Sequence, residues 1–100
     1  MEYKKACFLI RNKDYAIDGM RSGLGLAVEN MYSYAVLVDT EIDKLDEENV
    51  ERIEMLRDME GEVFSNVQAN CDKNEFEALT IEEIGEKLRD MDVIVPYGVK

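Results

Sequence analysis

Apolar residues in this chain switch between two periods. Ala6, Cys7, Phe8, Leu9 and Ile10 follow one another without a break between Lys4 and Arg11, the continuous run expected of a strand covered on both faces. From Ile17 the spacing becomes helical, with Met20, Leu24, Val28 and Met31 on one stripe, which predicts a first helix ending near Asn30 to Tyr32. Tyr34 to Asp39 repeats the buried-strand run through Ala35, Val36, Leu37 and Val38. A polar stretch from Thr40 then leads into a second helical stripe at Val50, Ile53, Leu56 and Met59. Gly61 stands where a helix stop is expected, and Glu62 to Phe64 reads as a third strand.

Ser65, Asn66, Val67 and Gln68 match a capping box and predict a short helix from Asn66, with Cys71 in its second turn. Phe76 to Leu79 reads as a short fourth strand. Thr80 with Glu83 forms another capping box, opening a helix with a stripe of Ile81, Ile84, Leu88 and Met91, and Val93 to Val95 makes a last strand before Pro96. Five strands alternating with four helices predict an α/β fold: a mainly parallel five-stranded sheet flanked by helices on both faces, three-layered in the flavodoxin or Rossmann manner. Ligands of such sheets collect beyond the carboxyl ends of the strands, here Arg11 to Tyr15, Asp39 to Glu41, Ser65 to Asn70 and Pro96 to Gly98.

Length and charge narrow the function. One hundred residues suit a single domain spanning 1–100, and an apolar share of 46% is too high for a disordered acidic tail. A net charge of -11, from 23 acids against 12 bases, repels a phosphate backbone, so no nucleic-acid partner is expected. Arg11, Lys13 and Arg21 make the first loop relatively cationic, while the acidic block from Glu41 to Glu62 reads as the wet face of the second helix, with Glu48 and Arg52 paired at i,i+4. No apolar run is long enough for a membrane span and no signal peptide opens the chain, which predicts a cytoplasmic protein with no membrane contact.

Candidate chemistry is sparse. The two cysteines form no Cys-x-x-Cys and the chain has no histidine, so neither a disulfide framework nor a zinc site is signalled, and nothing calls for a cofactor. Cys7 belongs inside the first strand; Cys71 is the one thiol near a predicted carboxyl edge, and thiol chemistry requires a thiolate. Ser65 as a nucleophile lacks a base, so helix capping is its expected role. Asn66 and Asn70 add hydrogen-bonding groups at the same edge. Gly19, Gly23 and Gly25 lie within the first helix pattern, where close packing explains them better than a phosphate loop.

The segments KKACFLIR, GMRSGLGLAVEN, GEVFSNVQANCDKNEFEA and EEIGEKLRDMDVIVPYG together give the chain, over nearly its whole length, a pattern that resembles the DsrE/DsrF-like sulfur-relay family, which includes TusD-type subunits. The resemblance implies a small α/β subunit assembled as a homo-oligomer, trimer or hexamer, or as a hetero-oligomer with related subunits. It also implies a cysteine after the third strand that carries sulfane sulfur as a persulfide between a donor and an acceptor protein. Laid on this chain, that position falls at or beside Ser65, and Cys71 follows six residues later. Two expectations follow from it. In one, Cys71 is the catalytic thiol of a sulfur carrier, with Ser65, Asn66, Asn70, Arg11 and Lys13 lining its pocket. In the other, the chain is a non-catalytic scaffold or binding subunit that lacks the relay cysteine. Aromatic residues at element ends, Tyr15, Tyr32, Phe76 and Tyr97, fit an oligomer surface.

Overall fold

The computed structural model describes residues 4–28 and 31–97. Strands β1 (Lys5–Ile10), β2 (Tyr32–Leu37), β3 (Glu62–Ser65), β4 (Glu77–Ala78) and β5 (Val93–Tyr97) form one sheet in the order β4-β3-β2-β1-β5. Every pairing is parallel. The connecting helices are α1 (Ala16–Val28), α2 (Glu47–Asp58), α3 (Gln68–Asn74) and α4 (Ile81–Arg89), with a 3-10 turn over Lys13–Tyr15 leading into α1.

The unbroken apolar runs are explained by cover on both faces. Along β2, Ala35 and Leu37 pack into the cluster built by Ala16 and Met20 of α1 and Ile53 and Leu56 of α2. Val36, between them in sequence, points the opposite way and joins Cys7, Phe64 and Ile84 of α4. Each of the three is at most 1% exposed, because a strand sends successive side chains to opposite faces and here both faces are dry. The result is the expected three-layer α/β fold.

Boundaries and stripes differ from expectation in places. On α2 it is Asn49 that is buried, and Val50 is exposed. The Asn49 amide donates to Asp46 Oδ1 at 2.9 Å while its Oδ1 accepts from Arg52 at 3.0 Å, so a polar residue is satisfied where an apolar one was expected. Glu48 and Arg52 do pair, at 2.6 Å. The first residues of the acidic block, Glu41 to Asp46, are a loop and not helix. Phe76, expected as a surface aromatic, lies in the core at 4% exposure. Pro96 continues β5, which an edge strand tolerates because its outer groups have no sheet partner. Met31, expected on the α1 stripe, is not helical, and Tyr32, given as the far limit of that helix, opens β2; Asn30, the side chains of Val28 and Tyr97, and Gly98 lie outside the described residues.

The two capping boxes have opposite outcomes. Thr80 Oγ1 accepts from the Glu83 amide at 3.1 Å and Glu83 Oε1 accepts from the Thr80 amide at 2.9 Å, so α4 starts as expected. Ser65 instead closes β3, and α3 begins at Gln68 behind Val67, which supplies no side-chain cap. The Ser65 hydroxyl accepts from the Val67 amide at 3.1 Å and turns into the protein.

One buried polar atom has no partner among the described residues, the Ser33 hydroxyl on β2. A buried hydroxyl without a hydrogen bond costs about 1–3 kcal/mol. Ser33→Ala is therefore expected to stabilise the fold by about 1 kcal/mol, seen as a raised urea midpoint at unchanged m value, and a loss of stability would show that the hydroxyl has a partner after all.

Candidate functional site

The carboxyl ends of β1, β2 and β3 bring three segments together: the turn after β1, the loop from Asp39 to Asp46 after β2, and Ser65 to Asn74 after β3. The loop is an irregular strap anchored by Ile42 and Leu45, both buried in the core under α1 and α2. Its opposite side is held by three asparagines: Asn66 in the turn before α3, and Asn70 and Asn74, four apart on α3 and so on one helix face. Asn66 Oδ1 accepts from the Asp39 amide at 2.8 Å, Asn70 Oδ1 from the Ile42 amide at 2.8 Å, and Asn74 Oδ1 from the Leu45 amide at 2.8 Å. Each side-chain amide donates back: Asn66 to Asp39 Oδ1 at 2.7 Å, Asn70 to the Thr40 carbonyl at 2.7 Å, and Asn74 to the Asp43 carbonyl at 3.3 Å. Asp39 takes a left-handed φ of 55°, a conformation in which aspartate is several-fold enriched.

Ser65 is saturated. It is fully buried, its hydroxyl donates to the Leu37 carbonyl at 2.9 Å, and its oxygen accepts from the Val67 amide and the Asn70 side chain, both at 3.1 Å. A hydroxyl has one proton and two lone pairs, so nothing remains for a nucleophile or a substrate. Asn70, 0% exposed, is the hub between Ser65 and the strap.

Cys71 lies on α3, partly buried against the apolar cluster under α1 and α2. Its thiol faces the Ser65 carbonyl at 3.8 Å, and that carbonyl already accepts the Leu79 amide at 3.0 Å. Burial, and then the Asp72 carboxylate beside it, push its pKa above the ordinary thiol value. Both effects disfavour the thiolate that sulfur chemistry requires.

Beside the strap is an open cleft of about 620 Å³, with Lys13, Asp14 and Ile17 on one wall and strap residues such as Ile42, Asp43 and Leu45 on the other. Its size falls within the range of small-molecule sites. The structure thus brings Ser65, Asn66 and Asn70 together and places Cys71 next to them, but all four lie outside the cleft lining. Lys13 lines the cleft; Arg11 is exposed at the end of β1 and does not. Sequence reasoning missed Asn74 and the strap. Two signals were there to find them: asparagines at 66, 70 and 74, and the apolar pair Ile42 and Leu45 inside an acidic stretch.

No three or more of the described His, Cys, Asp and Glu residues are grouped to hold a metal ion, and no described helix is long and apolar enough to cross a membrane. No family model, curated protein or solved structure matches the chain, so the sulfur-relay resemblance rests on the sequence patterns alone.

Cys7 gives the fold a pH signature. Burial pushes its thiol from 9.0 up to about 12. Below pH 9 both folded and unfolded chains keep the proton and the contribution is constant. Between about pH 9 and 12 the unfolded chain loses it while the fold retains it, so stability falls with rising pH, by up to about 1.4 kcal/mol per unit. Urea unfolding across that window should show the decline, and Cys7→Ala should make it shallower, the remainder belonging to groups such as Cys71 and Tyr34, whose pKa values burial also raises; equal slopes in both proteins would refute the assignment.

Proposed function

We propose that this chain is a non-catalytic binding or scaffold subunit of the DsrE-like kind, in which the segment after β3 has a structural role. One observation carries this reading: Ser65, at the place the relay cysteine would hold, is buried with every hydrogen-bonding site in use. Its neighbours Asn66 and Asn70 are bonded to the strap, and the cleft on the strap's other flank is the surface left for a ligand. The reading places the subunit in the cytoplasm, as a homo-oligomer or beside related subunits. Exposed Val93 and Ile94 on edge strand β5 support such assembly. Light scattering should return a multiple of 11.5 kDa; a monomer at all concentrations would remove the assembly.

The alternative is sulfur relay through Cys71, favoured by the one fact that this residue is only partly buried. Intact mass after incubation with a sulfane-sulfur donor, on wild type and Cys71→Ser, separates the two. The scaffold reading predicts no added sulfur on either protein. A gain of one sulfur on wild type alone would establish the relay and overturn it.

A further inference from the structure

Asn70 and Asn74 treat the strap as a neighbouring strand would. Asn70 accepts from the amide of Ile42 and donates to the carbonyl two residues back, at Thr40; Asn74 repeats the step at Leu45 and Asp43. Among the described residues, every hydrogen bond of the strap backbone from Asp39 to Leu45 runs to Asn66, Asn70 or Asn74. Releasing α3 together with the turn from Asn66 that leads into it therefore strips the strap of all of them together. The dependence is mutual. At seven residues and with no side-chain cap at its N-terminus, α3 is too short to persist without its packing. The Lys73–Glu41 ion pair, at 2.7 Å, joins the same two segments.

Each segment is bounded by a residue in the left-handed region. Asp39, where the strap leaves β2, has a φ of 55°, and Glu75, where α3 stops, has a φ of 57°. These two backbone reversals mark the bounds of the unit, one where the strap leaves β2 and one where α3 stops. Strap residues form one wall of the cleft and α3 contributes nothing to its lining, so the strap lies between the two.

We propose that the 39–46 strap and α3 form a single gate on the cleft, closed by the asparagine ladder and opening as one unit while the sheet stays intact. An occupant that rests against the strap and α3 behind it are then energetically linked, and the linkage is reciprocal. The inference does not depend on whether Cys71 carries sulfur.

Native-state hydrogen exchange on the full chain tests it. In wild type, the amides of Asp39, Ile42, Leu45 and Glu75 should share one opening equilibrium, well below the protection of β1 amides. In Asn74→Ala, all four should exchange faster by a common factor of about 10, the loss of one well-made hydrogen bond pair, with β1 unchanged. Acceleration confined to Leu45, or spread equally into β1, would overturn the proposal. Were Asn74→Ala unable to fold, the wild-type experiment alone decides: unequal openings among the four amides, or openings equal to those of β1, would refute a common gate.

Discussion

Asn70→Ala should lose about 3–4 kcal/mol of stability, seen as a lowered urea midpoint at unchanged m value. The substitution leaves three groups stranded: the Ile42 amide, the Thr40 carbonyl and one lone pair of Ser65. A buried unsatisfied group costs about 1–3 kcal/mol, and the space left by a fully buried side chain adds to it. A domain of this size has about 5–15 kcal/mol in total, so the variant should remain folded at room temperature and be measurable. The loss belongs to the ladder and not to the volume of the side chain. Asn70→Leu, which fills the space without bonding the strap, should therefore be no better than Asn70→Ala. Recovery of wild-type stability by leucine would contradict the assignment.

Gly61→Ala should be about as damaging for a different reason. A Cβ at this position would lie 2.8 Å from Leu56 Cγ and closer still to the Ser33 carbonyl oxygen of β2. The carbonyl is backbone in a paired strand and Leu56 is 0% exposed, so neither can yield. Overpacking of this kind costs about 1–3 kcal/mol and sometimes more. At the upper end of that range, the melting temperature of a 100-residue domain falls by on the order of 15 °C. The left-handed residue at the end of α2 is Glu60, with φ 67°, so Gly61 serves the close approach of α2 to β2 and not the turn. A melting temperature within a few degrees of wild type would show that the helix can shift away.

The layer architecture was legible because it follows from period alone. Continuous runs at Ala6–Ile10 and Ala35–Val38 demand two covered faces, and helical stripes between them supply the cover. The Thr80–Glu83 box was legible because both its partners are local. Failure begins where the partner is distant. Ser65 has the residues of a capping box, but its hydroxyl is claimed by Leu37, 28 positions away in sequence. Asn66, Asn70 and Asn74 bond to segments 27 to 31 residues distant. As isolated residues they look like turn formers, and only their common spacing hints at a shared face. Phe76 was misplaced for a related reason: it stands between charged neighbours in sequence, yet the chain reversal after α3 at Glu75 turns it inward.

The candidate site shows the same division. The carboxyl edge was the right place to look, and Ser65, Asn66, Asn70 and Cys71 do meet there. Their chemistry was not legible, because hydrogen-bond saturation and burial are properties of packing. Cys71 illustrates this best. As the one thiol near the predicted carboxyl edge it reads as a candidate thiolate from sequence, while its partial burial and the Asp72 charge act the other way.

The central claim, that Cys71 is part of a structural segment and not an activated sulfur carrier, is tested most directly by its own titration. Alkylation of native wild type with iodoacetamide, followed by intact mass across a pH series, reads the thiolate of Cys71, since Cys7 is fully buried and should stay unmodified. The structure predicts one slow addition whose rate climbs with pH and levels off only above the ordinary thiol range, in keeping with the raised pKa. Rapid alkylation near neutral pH, with an inflection below that range, would reveal a thiolate and contradict the account.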